Sequence, residues 1–140
     1  MQGDCLIESD KIESGSVDLI LTDLPYGNMN GAALDGWKHN KTSWDIAIDP
    51  NKVFEIANRI LRKNGKMALF SQEPYTSRMT TAAVSNIPFN FRMVWEKDHF
   101  ANALIAKKAP VSYFEDILLF SKNNEFQGLH PLRPYFKKVF

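Results

Sequence analysis

Asp23, Leu24, Pro25, Tyr26 and Gly27 stand together where an apolar run ends, and they are the residues of this sequence best suited to chemistry. A carboxylate and a neighbouring backbone carbonyl are both acceptors, so together they can take the two N–H bonds of an exocyclic amino group. An aromatic ring beside them stacks on a heterocycle. The lone pair of such an amine is delocalised into its ring, which makes it a poor nucleophile. Two acceptors placed off the ring plane favour a pyramidal nitrogen with that pair free, a form of transition-state stabilisation by preorganised dipoles. The chemistry needs neither a metal nor a covalent intermediate. Pro25 keeps Leu24 extended and so restricts the direction of its carbonyl. The same five residues also have the composition of a plain turn, with Pro and Gly supplying fixed and permissive dihedrals, but a turn has least use for the Tyr.

Positioning these residues falls to the flanking elements. Residues 17 to 22 are aliphatic or β-branched at most positions and read as a buried strand, which delivers Asp23 at its carboxyl end. In open α/β sheets that is where ligands bind. Residues 27 to 48 contain Gly27, Gly31, Gly36, Trp37 and Trp44 without a period, as a long loop whose tryptophans either stack on a base or pin the loop to the core. Asp49-Pro50 starts a helix with an acidic cap and Pro at the first position. Val53, Phe54, Ala57, Ile60 and Leu61 then recur at helical spacing, and Lys63-Asn64-Gly65 closes the helix. Lys66 to Ser71 reads as a second buried strand, so that strand, helix and strand make one right-handed crossover. A further helix is predicted from Ser71 to about Val84. Phe89 to Lys97 alternates as a half-covered strand, Asp98 to Val111 is a loop, and Asp116 to Lys122 is a closing strand. The whole reads as an α/β fold with a mostly parallel sheet.

Composition narrows the class. The 140 residues, 44% apolar and 24% charged, suffice for one globular domain with a single core. No apolar run approaches the roughly 18 residues of a membrane span, and the N-terminus lacks the regions of a signal peptide, so a cytoplasmic location is expected. The single Cys5 excludes an intrachain disulfide and reads as a core residue. His39, His99 and His130 are scattered, without zinc spacing. Phosphate-binding Gly loops and Gly-x-Ser-x-Gly are absent from the sequence. A net charge of +1 is not the signature of a strongly basic nucleic-acid binder. Lys107, Lys108, Arg133, Lys137 and Lys138 nevertheless cluster late in the chain, which suits phosphate contact or a solvated charged face.

Asp23-Leu24-Pro25-Tyr26 resembles the (D/N/S)-P-P-(Y/F) catalytic motif of the DNA amino-methyltransferases, which methylate adenine N6 or cytosine N4 with S-adenosyl-L-methionine. Leu24 departs from the motif, but the acceptor at that place is a carbonyl, which Leu also has. The resemblance thus implies Asp23, Leu24, Pro25 and Tyr26 as the catalytic set. Gly3-Asp4 is similar to a segment near the cofactor's adenosine and implies Asp4 as a cofactor contact, although an acidic turn or helix cap accounts for it equally. Trp44-Asp45 resembles a Trp-Asp pair of phage-type members. Phe70 to Tyr75, Trp95-Glu96-Lys97 and Asn102 to Pro110 are similar to later segments in the family's order. The last of these corresponds to a family loop on the DNA-facing side, so the resemblance implies Lys107 and Lys108 as DNA contacts. Together the resemblance covers about residues 3 to 122. It implies a partial Rossmann-like S-adenosyl-L-methionine-dependent methyltransferase fold, double-stranded DNA as partner, and a target base flipped from the duplex. Asp at the first motif position implies adenine N6 ahead of cytosine N4.

The family holds its cofactor with a turn of the type Phe-x-Gly-x-Gly. The seven glycines of this chain, residues 3, 15, 27, 31, 36, 65 and 128, include no Gly-x-Gly. In the family's permuted order the catalytic half precedes the recognition region and the cofactor turn. Residues 1–122 are therefore expected to be the catalytic half of a methyltransferase domain and residues 123–140 the start of a truncated C-terminal segment. The expected partners are DNA and the missing half or another subunit, with no membrane and no metal. A noncatalytic fragment that binds DNA or a partner subunit is the competing expectation.

Overall fold

In the computed structural model, which describes residues 2–27, 45–101 and 110–123, the motif follows strand β1, Val17–Asp23. The chain reaches β1 through a short helix α1, Cys5–Glu8, and a 3-10 turn, Ser9–Lys11. Arg59 fixes that entry from below. Its guanidinium donates to the carbonyls of Ser9 and Ile12 at 2.5 and 2.7 Å, and its own carbonyl accepts the Gly15 N–H at 2.9 Å. Cys5, expected in the core, is exposed, because α1 lies at the surface and buries none of its residues.

Helix α2, Pro50–Ile60, begins where the sequence predicts. Asp49 accepts the Asn51 N–H at 3.0 Å, and Pro50 sits in the first turn, where a missing N–H costs nothing. Phe54, Ala57 and Ile60 form its buried stripe. The helix stops at Ile60, earlier than Lys63-Asn64-Gly65 suggests, because Leu61 is already extended and pairs with Val17 as the start of β2, Leu61–Ser71. The next four partners slip out of the ladder, which resumes at Leu19 and Lys66. Asn64 takes φ 63° in this bulge. A Cβ on Gly65 would stand 2.9 Å from the Arg62 carbonyl oxygen and 3.1 Å from that of Val17, so only Gly fits.

Helix α3, Tyr75–Thr81, is shorter than residues 71–84, because Ser71 remains in β2 opposite Asp116 and Gln72-Glu73-Pro74 turns the chain. Strands β3, Phe89–Ala101, and β4, Ser112–Ser121, extend into the segment read as a loop, since their pairing continues through Glu96 and Phe114 to Ala101 and Ser112.

The strand order is β1-β2-β4-β3. β1 and β2 are parallel across α2, whereas β4 is antiparallel to both β2 and β3. Among the described strands the sheet is therefore mixed and not mostly parallel. The α/β class stands, but strand direction follows from how β3 and β4 are connected, which an apolar run does not encode.

Register assigns the faces. Met67 opposite Phe120 and Leu69 opposite Leu118 point to the side of α2 and α3, where they join Phe54, Tyr75, Met79 and Ile87 in the core. The Phe54 and Phe120 rings meet edge to face at 5.2 Å. Leu21, Ala68, Leu119 and Phe91 share the other face. There Leu21 is 62% and Leu19 51% exposed, so β1, expected to be buried, is covered on one side only by the described residues. No helix of the described residues is long and apolar enough to cross a membrane.

Candidate active site

β1 ends at Asp23, which pairs with Phe70, and the backbone then leaves the ladder. The Tyr26 hydroxyl turns back and donates to Asp23 Oδ1 at 2.5 Å. The Tyr26 ring lies 6.0 Å from that of Tyr75, tilted by 32°. Tyr75 is buried, and its hydroxyl donates to the Ile48 carbonyl at 2.8 Å. The side chain of Leu24 packs on the core and lines a cavity of about 290 Å³ between α1, β1 and α2, together with Ile20, Val53, Ile56 and Met67. A branched aliphatic residue at position 24 thus fills space as well as presenting a carbonyl. Gly27 takes φ 76°, its N–H donates to Asp45 Oδ1 at 3.0 Å, and a Cβ there would come within 3.1 Å of the Ala47 Cβ. Both the conformation and the close approach require Gly.

Burial raises the Tyr26 phenol far above its ordinary range, with the hydrogen bond to Asp23 and the negative charges of Asp23, Glu115 and Asp116 adding to it. The hydroxyl is therefore neutral and a donor at any working pH. Burial also pushes the Tyr75 phenol up to about 12, against the opposing charge of Arg78. Asp116 is buried beneath α3: its Oδ2 accepts the Thr76 hydroxyl at 2.9 Å, Thr76 Oγ1 lies 3.0 Å from Ser71 Oγ, and Oδ1 faces Arg92 Nε at 3.8 Å. That cluster ties α3 to the end of β2. Across the opposite face, the Phe70 and Trp95 rings meet at 5.6 Å, and Lys97 lies 5.1 Å over the Trp95 ring while pairing with Glu115.

The structure thus brings Asp23, Leu24, Pro25 and Tyr26 to one turn at the carboxyl end of a parallel strand. Asp4 caps α1, its Oδ1 accepting the Leu6 N–H at 2.9 Å, which is the helix-cap alternative read from the sequence. Lys107, Lys108, Trp37 and Trp44 lie outside the described residues. Two contributors are not evident from the sequence. Tyr75 enters there only as part of a similar segment, and Asp45 only as half of a Trp-Asp pair, whose one available signal is that resemblance. Among the described residues, no three His, Cys, Asp or Glu side chains gather as a metal-binding group.

This fold is shared with proteins crystallised with S-adenosyl-L-methionine. TTHA0409 of Thermus thermophilus in such a complex superimposes with a TM-score of 0.58 at 16% identity, over 95% of this chain and 59% of that one. M1.HpyAVI in its SAM complex gives 0.52 at 17% identity, over 93% and 60%. Their class is the α/β fold of S-adenosyl-L-methionine-dependent methyltransferases. The family model for DNA methylases of the N6/N4 type matches residues 17–138, and the chain belongs to that family. It is similar to the DNA adenine methyltransferase YhdJ of Escherichia coli K12, with 31% identity over 91% of this chain and 43% of that protein. The chain spans less than half the length of this curated relative.

Proposed function

We propose that the chain carries the amine-accepting site of a DNA methyltransferase that acts on adenine N6 in preference to cytosine N4. The observation that carries this reading is the Asp23 carboxylate and the Tyr26 ring held on one turn, joined by a hydrogen bond of 2.5 Å. A target base flipped from the duplex stacks on Tyr26, and its amino group donates one N–H to Asp23 and the other to the Leu24 carbonyl. Both acceptors then hold the nitrogen pyramidal and leave its lone pair free. Pro25 restricts the direction of the carbonyl, and Tyr26, held neutral by burial, adds no charge beside Asp23. Asp at the first motif position supports adenine, and so does the likeness to a protein named as a DNA adenine methyltransferase.

S-adenosyl-L-methionine supplies the methyl group when bound. Asp4 is proposed as a contact to it, by an acceptor site other than the one on Oδ1 that caps α1, beside a cavity lined mainly by aliphatic side chains. The amine-accepting wall is what this chain's described residues contribute. Lys107 and Lys108 are proposed to contact the DNA backbone.

A second reading is a noncatalytic fragment that binds DNA or a partner subunit, and it draws support from the basic residues late in the sequence, Lys107, Lys108, Arg133, Lys137 and Lys138. Titration calorimetry with S-adenosyl-L-methionine separates the two. Saturable micromolar binding followed by labelled methyl transfer to DNA supports the enzyme, whereas DNA binding without either supports the fragment.

A further inference from the structure

We propose that Asp45 is a positioning residue for the amine-accepting turn. The inference rests on the reading of Asp23 to Tyr26 as that site. Asp45 is 3% exposed, and its carboxylate accepts the N–H of Gly27, the residue that follows Tyr26, at 3.0 Å. Once the chain has left β1, this N–H has no ladder partner and stands in a left-handed conformation with φ 76°. A desolvated carboxylate is the strongest acceptor a side chain can offer it.

The segment that carries Asp45 grips the turn at two more points. Ala47 packs so closely on Gly27 that a Cβ there would meet its Cβ at 3.1 Å and its nitrogen at 3.3 Å. Ile48 accepts the hydroxyl of Tyr75, whose ring supports that of Tyr26 from 6.0 Å away. Residues 45 to 48 therefore hold the turn by its backbone, by its closest packing and through the ring beneath it. Asp45 supplies the one polar contact of the three that acts directly on the turn. Because Gly27 adjoins Tyr26, any slack at Gly27 displaces the Tyr26 ring and the carbonyl of Leu24 behind it. Misplacement by about 1 Å can cost on the order of 100-fold in rate.

The test compares the wild-type chain with Asp45→Asn, whose amide oxygen still accepts a hydrogen bond, and Asp45→Ala, which removes the acceptor. Amide exchange at Gly27, followed by nuclear magnetic resonance, is expected to quicken slightly in Asp45→Asn and by about tenfold or more in Asp45→Ala. In methyl-transfer assays Asp45→Ala is expected to lower kcat by roughly 10- to 100-fold with KM for DNA and cofactor unchanged, and Asp45→Asn to recover most of it. An unchanged Gly27 exchange rate in both variants overturns the proposal, as does an equal fall of kcat in the two. Should Asp45→Ala fail to fold, a faster Gly27 exchange in Asp45→Asn supports the proposal and an unchanged one overturns it. If the wild-type chain transfers no methyl group, the enzymatic reading fails while the exchange measurement still decides the role of Asp45.

Discussion

The hydroxyl of Tyr26 donates to Asp23 Oδ1 at 2.5 Å, so the two residues that would receive a base are paired with each other. An incoming amino group can share that carboxylate with the hydroxyl, since its second oxygen is a further acceptor. The ring and the hydroxyl of Tyr26 then have separable roles. Tyr26→Phe keeps the stacking surface and should change kcat/KM for DNA by less than about tenfold, the range of one net hydrogen bond. Tyr26→Ala should lower it by about 10- to 100-fold, because base stacking on an aromatic ring contributes about 1–3 kcal/mol. Labelled methyl-transfer kinetics on the two variants check this, and equal losses in both would contradict it.

The Thr76 contact to Asp116 makes a second prediction, this one about stability. Both side chains are buried, and Thr76 is the donor that meets Asp116 Oδ2. Thr76→Val leaves the carboxylate underpartnered and should destabilise the fold by about 1–3 kcal/mol. Asp116→Asn keeps an acceptor and should cost less. Urea unfolding followed by circular dichroism measures both, and a neutral Thr76→Val would mean that the cluster adds nothing.

Much of this arrangement is legible in residue types, because local rules fix local structure. The run from Val17 to Thr22 ending in Asp23, and Asp49-Pro50 opening α2, both follow from chemistry within a few residues. What is not legible is what distant residues decide. Leu61 is extended because Val17 pairs with it, and Ser71 stays in β2 because Asp116 stands opposite, so both helices end or start away from their sequence signals. The antiparallel direction of β4 is a property of the β3–β4 connection, and no apolar run carries it. At the site, Asp23 and Tyr26 announce themselves by type. Asp45 does not, since its role depends on an N–H that is 18 residues away in the chain. Cys5 departs from expectation for a related reason: a small apolar residue is buried only if its element is, and α1 lies at the surface.

Titration should distinguish the paired tyrosines from ordinary ones. Burial pushes the Tyr75 phenol from 10.0 up to about 12 and carries Tyr26 in the same direction. The folded-state pKa lies above the unfolded one, so the stability contributed by the protonated Tyr75 is intact below pH 10 and is lost as the pH rises through about 12. Denaturation midpoints should therefore fall above pH 10 in the wild type and fall less in Tyr75→Phe. Ultraviolet titration of tyrosinate should show the corresponding late ionisation, with one late-ionising tyrosine fewer in that variant.

The open face of the sheet bears on association. Leu19 and Leu21 on β1, and Phe91, Met93 and Trp95 on β3, are all exposed among the described residues. Apolar surface of that extent, beside a strand edge left unpaired among the described residues, favours self-association. The 140-residue chain alone is expected to be marginally stable and to run as oligomers or aggregates on gel filtration, and Leu21→Lys combined with Phe91→Lys should raise the monomer fraction. A wild-type monomer that melts cooperatively above about 60 °C would contradict this.

The central claim is that Asp23 accepts the amino group of the base, and the most direct measurement is transfer of a labelled methyl group from S-adenosyl-L-methionine to adenine N6 in duplex DNA by the wild-type chain and by Asp23→Ala. Removal of a preorganised acceptor aimed at the reacting nitrogen should lower kcat by about 100-fold or more, with DNA binding retained. N6-methyladenine is expected in the wild-type digest and should be lost in Asp23→Ala. Equal transfer by the two proteins would contradict it.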